Sequence, residues 1–275
     1  MLFAGMKVLS LESRRAVEIA ELIRRHGGDP VVAPSMREAP LTQNEEAFRF
    51  AERLFAGEFD MMILLTGVGA RLLDQTLFAR YPAGRLAEAL RGLTVVVRGP
   101  KPAAVMRIWD VPIAVSVPEP NTWRELLVAI ENRPERRIAV QEYGRSNTEL
   151  IAGLRRRGAE VTSVRVYQWV LPEDTGPLRD AARRLAAGEL QAALFTTAIQ
   201  IGHLLRVAAD EGIEDAVRAA FQRVVVGSIG PTTTEALAEA GIHPDLEPTH
   251  PKMGILVQET AQRAEEILRR KLVIA

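Results

Sequence analysis

The 275-residue sequence contains no cysteine, which excludes disulfide bonds, cysteine nucleophiles, iron–sulfur clusters and cysteine zinc sites. It also carries no net charge, because 35 basic side chains balance 35 acidic ones. A nucleic-acid or anionic-membrane partner usually requires a basic excess, so the balance argues against both. No apolar run approaches the roughly 18 residues of a membrane span, and no signal-peptide pattern opens the chain. We therefore expect a cytoplasmic protein without a membrane or nucleic-acid partner.

Several common catalytic patterns are also missing. The four histidines are scattered over predicted helix ends and loops, without metal-ligand spacing. No phosphate-binding loop with its lysine occurs, and no serine lies in a nucleophile-elbow motif. Gly67-Val68-Gly69 is similar to a dinucleotide-binding loop, but Leu72 occupies the position of the third glycine. The sequence therefore predicts neither a metal nor a cofactor.

The sequence contains an internal repeat instead. Moving the chain by 131 positions aligns residues 51–59 with 182–190, and Gly99-Pro100 with Gly230-Pro231. One constant offset across helices, turns and apolar runs indicates two copies of one layout, and hence two similar lobes with a cleft between them. The repeat begins near Met6, which predicts that residues 1–5 are an extension that the fold does not need.

Short apolar runs of β type alternate with helical periodicity along the whole chain. Residues 62–65 are typical of a buried strand, and residues 16–26, closed by Gly27-Gly28, are typical of a helix. This alternation predicts an α/β fold with two doubly wound parallel-sheet lobes of flavodoxin-like type, related by the duplication. A contiguous division would cut the chain near residue 135.

Five loops that follow predicted strands are rich in hydroxyl, glycine and basic residues. The first turn of a helix has unpaired N–H groups and favours anions, although capping is the simpler interpretation of any single loop. Five such loops at one edge predict a surface that binds a ligand with several carboxylates or phosphates. The candidate binding residues are Thr66, Gly67, Arg98, Lys101, Tyr143, Arg145, Ser146, Thr196, Thr197, Ser228, Thr232 and Thr233.

Tyr167 is the candidate catalytic residue. It lies in an extended stretch of the second copy, where the repeat places Met36 in the first copy, so the shared fold does not require a phenol. The sequence leaves two interpretations open, a half-buried strand tyrosine and a functional group.

At these residues the chain resembles the uroporphyrinogen-III synthase family, which cyclises a linear tetrapyrrole on the route to haem. The resemblance is carried by Gly230-Pro231-Thr232-Thr233, by the turn at 154–158 followed by Tyr167, and by residues 98–103. Thr66 and Thr196-Thr197 stand where the family usually has Thr-Ser, and the missing serines put in doubt whether a hydroxyl is needed at the second position. The likeness extends from about Met6 to the C-terminal helix.

The resemblance implies a discontinuous domain map. Residues 1–37 and 172–275 would form the first lobe and residues 38–171 the second. Two crossover strands, around 31–38 and 164–171, would form a two-stranded linker. Two tandem copies can pack in this way or contiguously, so the residues alone leave the choice open.

The resemblance also implies the reaction. Hydroxymethylbilane, which carries eight carboxylates, would lose its hydroxyl and close to uroporphyrinogen III with the terminal ring inverted. Tyr167 matches the family tyrosine that helps the hydroxyl depart, as a general acid or hydrogen-bond donor. The protein would be a monomer without a cofactor, able to receive its substrate from the upstream bilane-forming enzyme.

Two other functions are compatible with two such lobes. The protein could be a non-catalytic sensor that binds an anionic tetrapyrrole or another metabolite and releases it unchanged. A nucleotide-sugar transferase also has two doubly wound lobes, but it needs larger lobes and usually a metal or a diphosphate clamp.

Overall fold

A computed structural model describes residues 2–40, 44–142 and 147–274. The chain divides into two compact units. Unit 1 comprises Met1–Arg37 and Val170–Ala275, and unit 2 comprises Glu38–Trp169. The second crossing between the units therefore lies two residues before the boundary that the family resemblance implies.

Strands and helices alternate through most of the described chain. The strands are β1 (Lys7–Ser10), β2 (Asp29–Val32), β3 (Arg37–Pro40), β4 (Met61–Leu64), β5 (Thr94–Val97), β6 (Val115–Ser116), β7 (Arg137–Gln141), β8 (Glu160–Val164), β9 (Tyr167–Val170), β10 (Ala192–Phe195) and β11 (Val225–Ser228). The helices are α1 (Ala16–Arg25), α2 (Glu45–Phe55), α3 (Gly67–Leu77), α4 (Arg85–Arg91), α5 (Pro100–Ile108), α6 (Trp123–Ala129), α7 (Thr148–Arg156), α8 (Gly176–Ala186), α9 (Ile199–Asp210), α10 (Glu214–Ala220), α11 (Pro231–Glu239) and α12 (Met253–Ile274).

Unit 1 is built on a four-stranded parallel sheet in the order β11-β10-β1-β2. Both faces of this sheet are covered. Along β10, Ala192 and Leu194 pack into a core that includes α1 and α12, whereas Ala193 and Phe195 pack into a second core that includes α8 and α9. Since side chains alternate between faces along a strand, a run of apolar residues serves both cores.

Unit 2 is built on a five-stranded parallel sheet in the order β6-β5-β4-β7-β8. Its central strand β4 is fully apolar and buried, as the sequence predicts for this segment. The mixed α/β fold with parallel sheets is therefore confirmed.

The two chain crossings fall within a separate two-stranded sheet of β3 and β9. The expected linker ranges were too long at their N-terminal ends. Val31 and Val32 pair with β1, and Val164 pairs with β7, so these residues belong to the large sheets.

The sequence pattern also predicts a helix that opens at Pro102 and strands at 113–117 and 242–245. Helix α5 instead begins at Pro100, and a proline is tolerated at either position because the first turn needs no N–H donors. The strand at 242–245 is reduced to a single bridge between Gly227 and Leu246, and the strand at 113–117 is shortened to β6.

The prediction that residues 1–5 are dispensable is wrong for residues 3 and 5. Phe3 is completely buried against Ile23 and Gly28, in the core beneath α1 and α12. Its N–H donates to the carbonyl of His26 at 2.9 Å, and the N–H of Gly5 donates to that of Gly27 at 2.8 Å. The start of the chain therefore closes one side of unit 1.

In unit 1, the titratable side chain of His203 is hydrogen-bonded to the segment that precedes β3. The ring is buried on α9, and Nδ1–H donates to the carbonyl of Ser35 at 2.7 Å. Burial lowers the pKa of His203, the Ser35 hydrogen bond opposes this shift, and Arg206 adds to it.

We expect unit 1 to lose stability as the pH falls below the usual histidine pKa of about 6.5. The pKa of His203 is lower in the folded state than in the unfolded state. The stability that its neutral ring contributes is therefore complete above the unfolded-state pKa, and it is lost as the pH falls through the folded-state pKa. One proton changes the free energy of unfolding by at most about 1.4 kcal/mol per pH unit. Urea unfolding between pH 8 and pH 5 measures this slope.

The exposed His243 provides the matched control for this pH effect. His203→Gln should flatten the pH dependence, whereas His243→Gln should leave it as in the unsubstituted protein. Equal slopes in the two variants would rule out His203 as the titrating group.

Candidate functional site

Both parallel sheets contain a point where the strand order reverses. In unit 2 it lies between β4 and β7, and in unit 1 between β10 and β1. In doubly wound sheets, ligands bind beyond the carboxyl ends of the strands at such a point. The loops that follow these four strands are therefore the first place to look for a site in each unit.

In unit 2, Thr66 lies directly beyond β4 and caps α3. Its Oγ1 accepts a hydrogen bond from the N–H of Gly69 at 2.9 Å. The Tyr167 Oη lies 3.3 Å from Thr66 Oγ1, and either hydroxyl can donate in this pair. Tyr167 is only 2% exposed, whereas Thr66 is half-buried. The candidate catalytic tyrosine therefore contacts one of the predicted binding loops, and it is more deeply buried than the sequence suggests.

The loop between β5 and α5 packs against the Thr66 loop. A Cβ atom on Gly67 would lie 2.6 Å from the carbonyl oxygen of Lys101, so only glycine permits this approach. The Lys101 side chain is exposed and Arg98 is half-buried. Because Pro100 and Pro102 lack N–H groups, we infer that charged side chains offer more to an anion here than backbone amides do.

Three predicted binding residues, Tyr143, Arg145 and Ser146, lie outside the described residues. The residues that flank them are Glu142, which is buried, and Asn147, which caps α7 by accepting a hydrogen bond from the N–H of Leu150 at 3.1 Å. The Glu142 Oε1 accepts a hydrogen bond from the N–H of Asn147 at 2.8 Å.

In unit 1, the Thr196–Thr197 loop is already hydrogen-bonded to the protein. Gln200 Oε1 accepts from the N–H of Thr196 at 2.7 Å and from that of Thr197 at 3.2 Å. Its Nε2 donates to Thr196 Oγ1 at 2.9 Å, and Thr196 Oγ1 donates to Glu12 Oε2 at 2.6 Å. The amides that the sequence offered to an anion are therefore satisfied, which leaves the Thr197 side chain.

The loop between β11 and α11 presents one of its three predicted residues to solvent. Ser228 and Thr233 are buried, and Thr232 is half-buried in the first turn of α11. The Ser228 Oγ donates to the carbonyl of Gly230 at 3.3 Å and accepts from Thr234 Oγ1 at 2.9 Å. Ser228 therefore shapes the loop, and Thr232 is the residue best placed to meet a ligand.

Sequence reasoning missed three polar residues at these strand ends, namely Glu12, Gln141 and Gln200. Glu12 follows β1 closely, so applying the strand-end criterion to β1 would have found it. Gln141 ends β7 and is completely buried, with Oε1 3.2 Å from the N–H of Thr66. Gln200 lies inside a helix and carries no comparable signal in the sequence.

Within the described ranges, no group of three or more histidine, cysteine, aspartate or glutamate residues could hold a metal ion. In the same ranges, no helix is both long enough and apolar enough to cross a membrane. The candidate site therefore consists of hydroxyl, amide, carboxylate and basic groups at the loops.

These features define a class of α/β protein with two parallel-sheet units and hydroxyl-bearing loops at the carboxyl ends of their strands. Residues 17–258 match the family described as uroporphyrinogen-III synthase HemD, and the chain belongs to that family. The predicted family is thus confirmed.

Individual relatives and solved structures are similar to this chain over nearly its whole length. A Bacillus subtilis (strain 168) protein with the name "Uncharacterized protein YjjA" is 30% identical over 268 residues, which cover 95% of this chain and 97% of that protein. A crystal structure of a mutant uroporphyrinogen III synthase from the extreme thermophile Thermus thermophilus is similar with a TM-score of 0.70 and 24% identity, covering 95% of this chain and 99% of that one. The wild-type enzyme in another crystal form gives 0.54 and 25% identity, covering 98% of this chain and 100% of that one.

Proposed function

We propose that this protein catalyses the cyclodehydration of hydroxymethylbilane to uroporphyrinogen III, with inversion of the terminal pyrrole ring. Membership of the uroporphyrinogen-III synthase family supports the overall reaction. The observation that carries the chemical role is the 3.3 Å contact between Tyr167 Oη and Thr66 Oγ1 at the strand-order reversal of unit 2.

Tyr167 acts in this proposal as a general acid through Thr66. As the C–O bond breaks, the departing hydroxyl takes the Thr66 proton and leaves as water, while Thr66 takes the proton of Tyr167. The products of this step are an azafulvenium cation and a tyrosinate. For the inverted product, the cationic carbon first bonds to the substituted α-carbon of the terminal ring. The older bond from that carbon to the neighbouring methylene carbon then breaks, which leaves a new azafulvenium cation. That cation bonds to the other α-carbon of the terminal ring, and the proton lost from this carbon returns to Tyr167 by the same route. A relay suits this site because Thr66 is the more exposed of the two residues.

The substrate carboxylates are bound, in this proposal, by loops of both units. Lys101 is exposed, and Arg98, Thr197 and Thr232 are half-buried, so their side chains can reach a ligand. Tyr143, Arg145 and Ser146 remain proposed ligands from the sequence. Many weak contacts suit an enzyme whose main task is to hold a flexible polyanion in one conformation, because orientation alone can supply much of a rate enhancement.

We also propose that the fold arose by duplication, with each unit combining parts of both copies. In support, the register Met61↔Thr94 between β4 and β5 recurs 131 residues later as Ala192↔Val225 between β10 and β11. The order β2-β1-β10-β11 likewise parallels β8-β7-β4-β5. The first half of each copy would thus share a sheet with the second half of the other copy.

The proposed enzyme acts without a partner subunit or a cofactor. The enzyme works as a monomer in the cytoplasm and needs no cofactor, because the relay and the carboxylate contacts come from the chain itself. Hydroxymethylbilane closes spontaneously to the wrong isomer, so a direct transfer from the upstream bilane-forming enzyme would limit that loss.

The isomer distribution of the product tests the proposed function. We expect the purified protein to convert hydroxymethylbilane mainly to the type III isomer, while buffer alone and heat-inactivated protein give type I. Oxidation of the products to porphyrins and chromatographic separation measure the ratio. Binding of the bilane without a change in this ratio would favour the sensor, and a type I excess would refute the cyclase.

A further inference from the structure

We infer that Gln141 is a positioning residue for the proton relay, because its buried amide holds Thr66 in reach of Tyr167. The inference rests on the proposed role of Tyr167. In the proposal, Gln141 does not touch the substrate.

The backbone of Thr66 is hydrogen-bonded to the side chain of Gln141. Gln141 Oε1 accepts from the backbone N–H of Thr66 at 3.2 Å, and Gln141 Nε2 donates to the carbonyl of Glu142. Both ends of the amide are therefore engaged, which fixes the side chain between β7 and the start of α3. Since Gln141 is completely buried, water cannot replace it at the Thr66 N–H without a rearrangement.

This arrangement is compatible with the direction of the proposed relay. Thr66 Oγ1 has two lone pairs and one hydrogen. The N–H of Gly69 occupies one lone pair at 2.9 Å, and the Tyr167 hydroxyl at 3.3 Å can occupy the other. The hydrogen of Thr66 is then left for the departing hydroxyl of the substrate. Without Gln141 the loop backbone loses its anchor, and the 3.3 Å contact loses its geometry.

Gly69 provides a second indication that the Gln141 amide is closely packed against the start of α3. A Cβ atom at Gly69 would lie 2.0 Å from Gln141 Nε2 and 2.4 Å from its Cδ. Gly69 is therefore a glycine because the glutamine amide occupies the volume that any side chain would take. A methyl group at this position would displace Gln141 while leaving its chemistry intact.

A glutamine also holds the corresponding loop of unit 1, where the described part of the chain shows no tyrosine in contact with the loop. There Gln200 accepts hydrogen bonds from the N–H groups of Thr196 and Thr197 and lies on the helix itself. The repeat of 131 residues aligns Gln200 with Gly69 of unit 2. A buried glutamine thus holds this loop in both units, and among the described residues only Gln141 holds a threonine that contacts a phenol.

A double-mutant cycle with Tyr167→Phe tests the inference. We expect Gln141→Met to lower kcat for the type III product about tenfold, roughly the effect of one lost hydrogen bond, with little change in KM. In the Tyr167→Phe background the same substitution should lower kcat less than about twofold, because both changes remove one relay. Gly69→Ala should behave like Gln141→Met, and it covers the case in which Gln141→Met fails to fold.

Gln200→Met is the matched control, since it removes a similar amide from the other unit. In the double variant, the fold-reductions in kcat caused by Gln200→Met and by Tyr167→Phe should multiply. If Gln141→Met leaves kcat unchanged, or lowers it equally with and without the phenol, Gln141 is not a positioning residue for the relay. A failure of the proposed function appears separately, as a type I product from the unsubstituted protein. A failure of the proposed role of Tyr167 appears as full activity of Tyr167→Phe alone.

Discussion

Replacing Tyr167 with phenylalanine is expected to lower kcat for uroporphyrinogen III about 100-fold, the lower end of the range for a general acid. The loss is partial because hydroxide is a feasible leaving group from a carbon that a pyrrole nitrogen can stabilise as a cation. KM should change little, since the buried ring and its edge-on contact with Trp169, 6.3 Å between centroids, are kept. Initial rates of type III product formation at saturating bilane measure the effect.

Tyr81→Phe is the matched control for this experiment. Tyr81 also lies in unit 2 and packs edge-on against Phe55 with 4.8 Å between ring centroids. It therefore loses a hydroxyl while keeping an aromatic contact, at a place without a proposed role. We expect its kcat to equal that of the unsubstituted protein. Full activity of Tyr167→Phe would remove the phenol from the mechanism and leave the family assignment unaffected.

Replacing Phe3 with alanine is expected to lower the free energy of unfolding by about 3–5 kcal/mol. The ring is completely buried in the core beneath α1 and α12, and Gly28 leaves room for it because a Cβ at that position would lie 3.1 Å from Phe3 Cδ2. Removing the ring leaves a cavity that the surrounding helices can fill only in part. Urea unfolding followed by circular dichroism measures the loss.

Leu2 supplies the control for this truncation, because it precedes Phe3 directly and is 43% exposed. Leu2→Ala should change the free energy of unfolding by less than about 0.5 kcal/mol. A similarly small change for Phe3→Ala would mean that the first residues are an extension after all, as the start of the repeat near Met6 suggests.

The elements that sequence reasoning located well are those that local patterns specify. The four buried apolar residues of β4 and the glycine-terminated helix α1 are examples, because burial on both faces and a C-terminal glycine leave direct traces in the sequence. The short helices α4 and α10 were missed. Each contains only seven residues and is stabilised by buried side chains such as Leu86 and Val217, and a helix this short is not stable without such packing.

The candidate site likewise has features that local sequence patterns predict and features that they do not. Its loops could be named from the sequence, because hydroxyl and glycine residues follow apolar strands, and the parallel topology brings the carboxyl ends of the strands to the same edge within each sheet. The sequence did not indicate which residues of each loop are available to a ligand. Ser228 and Thr233 are buried while Thr232 is not, and the amides of Thr196 and Thr197 are taken by Gln200.

The amino-acid sequence by itself determined the α/β class, the order of most strands and helices, the family and the five candidate loops. The class, the elements and the loops follow from periodicities and spacings that extend over short stretches of chain, or from one constant offset. The family follows from a resemblance carried by specific residues, such as those at 98–103. Only the tertiary structure brought Tyr167 to Thr66, across 101 positions, and Gln141 to Thr66, across 75. Such contacts depend on which strands pair and in which register, and no local pattern in the chain encodes that pairing.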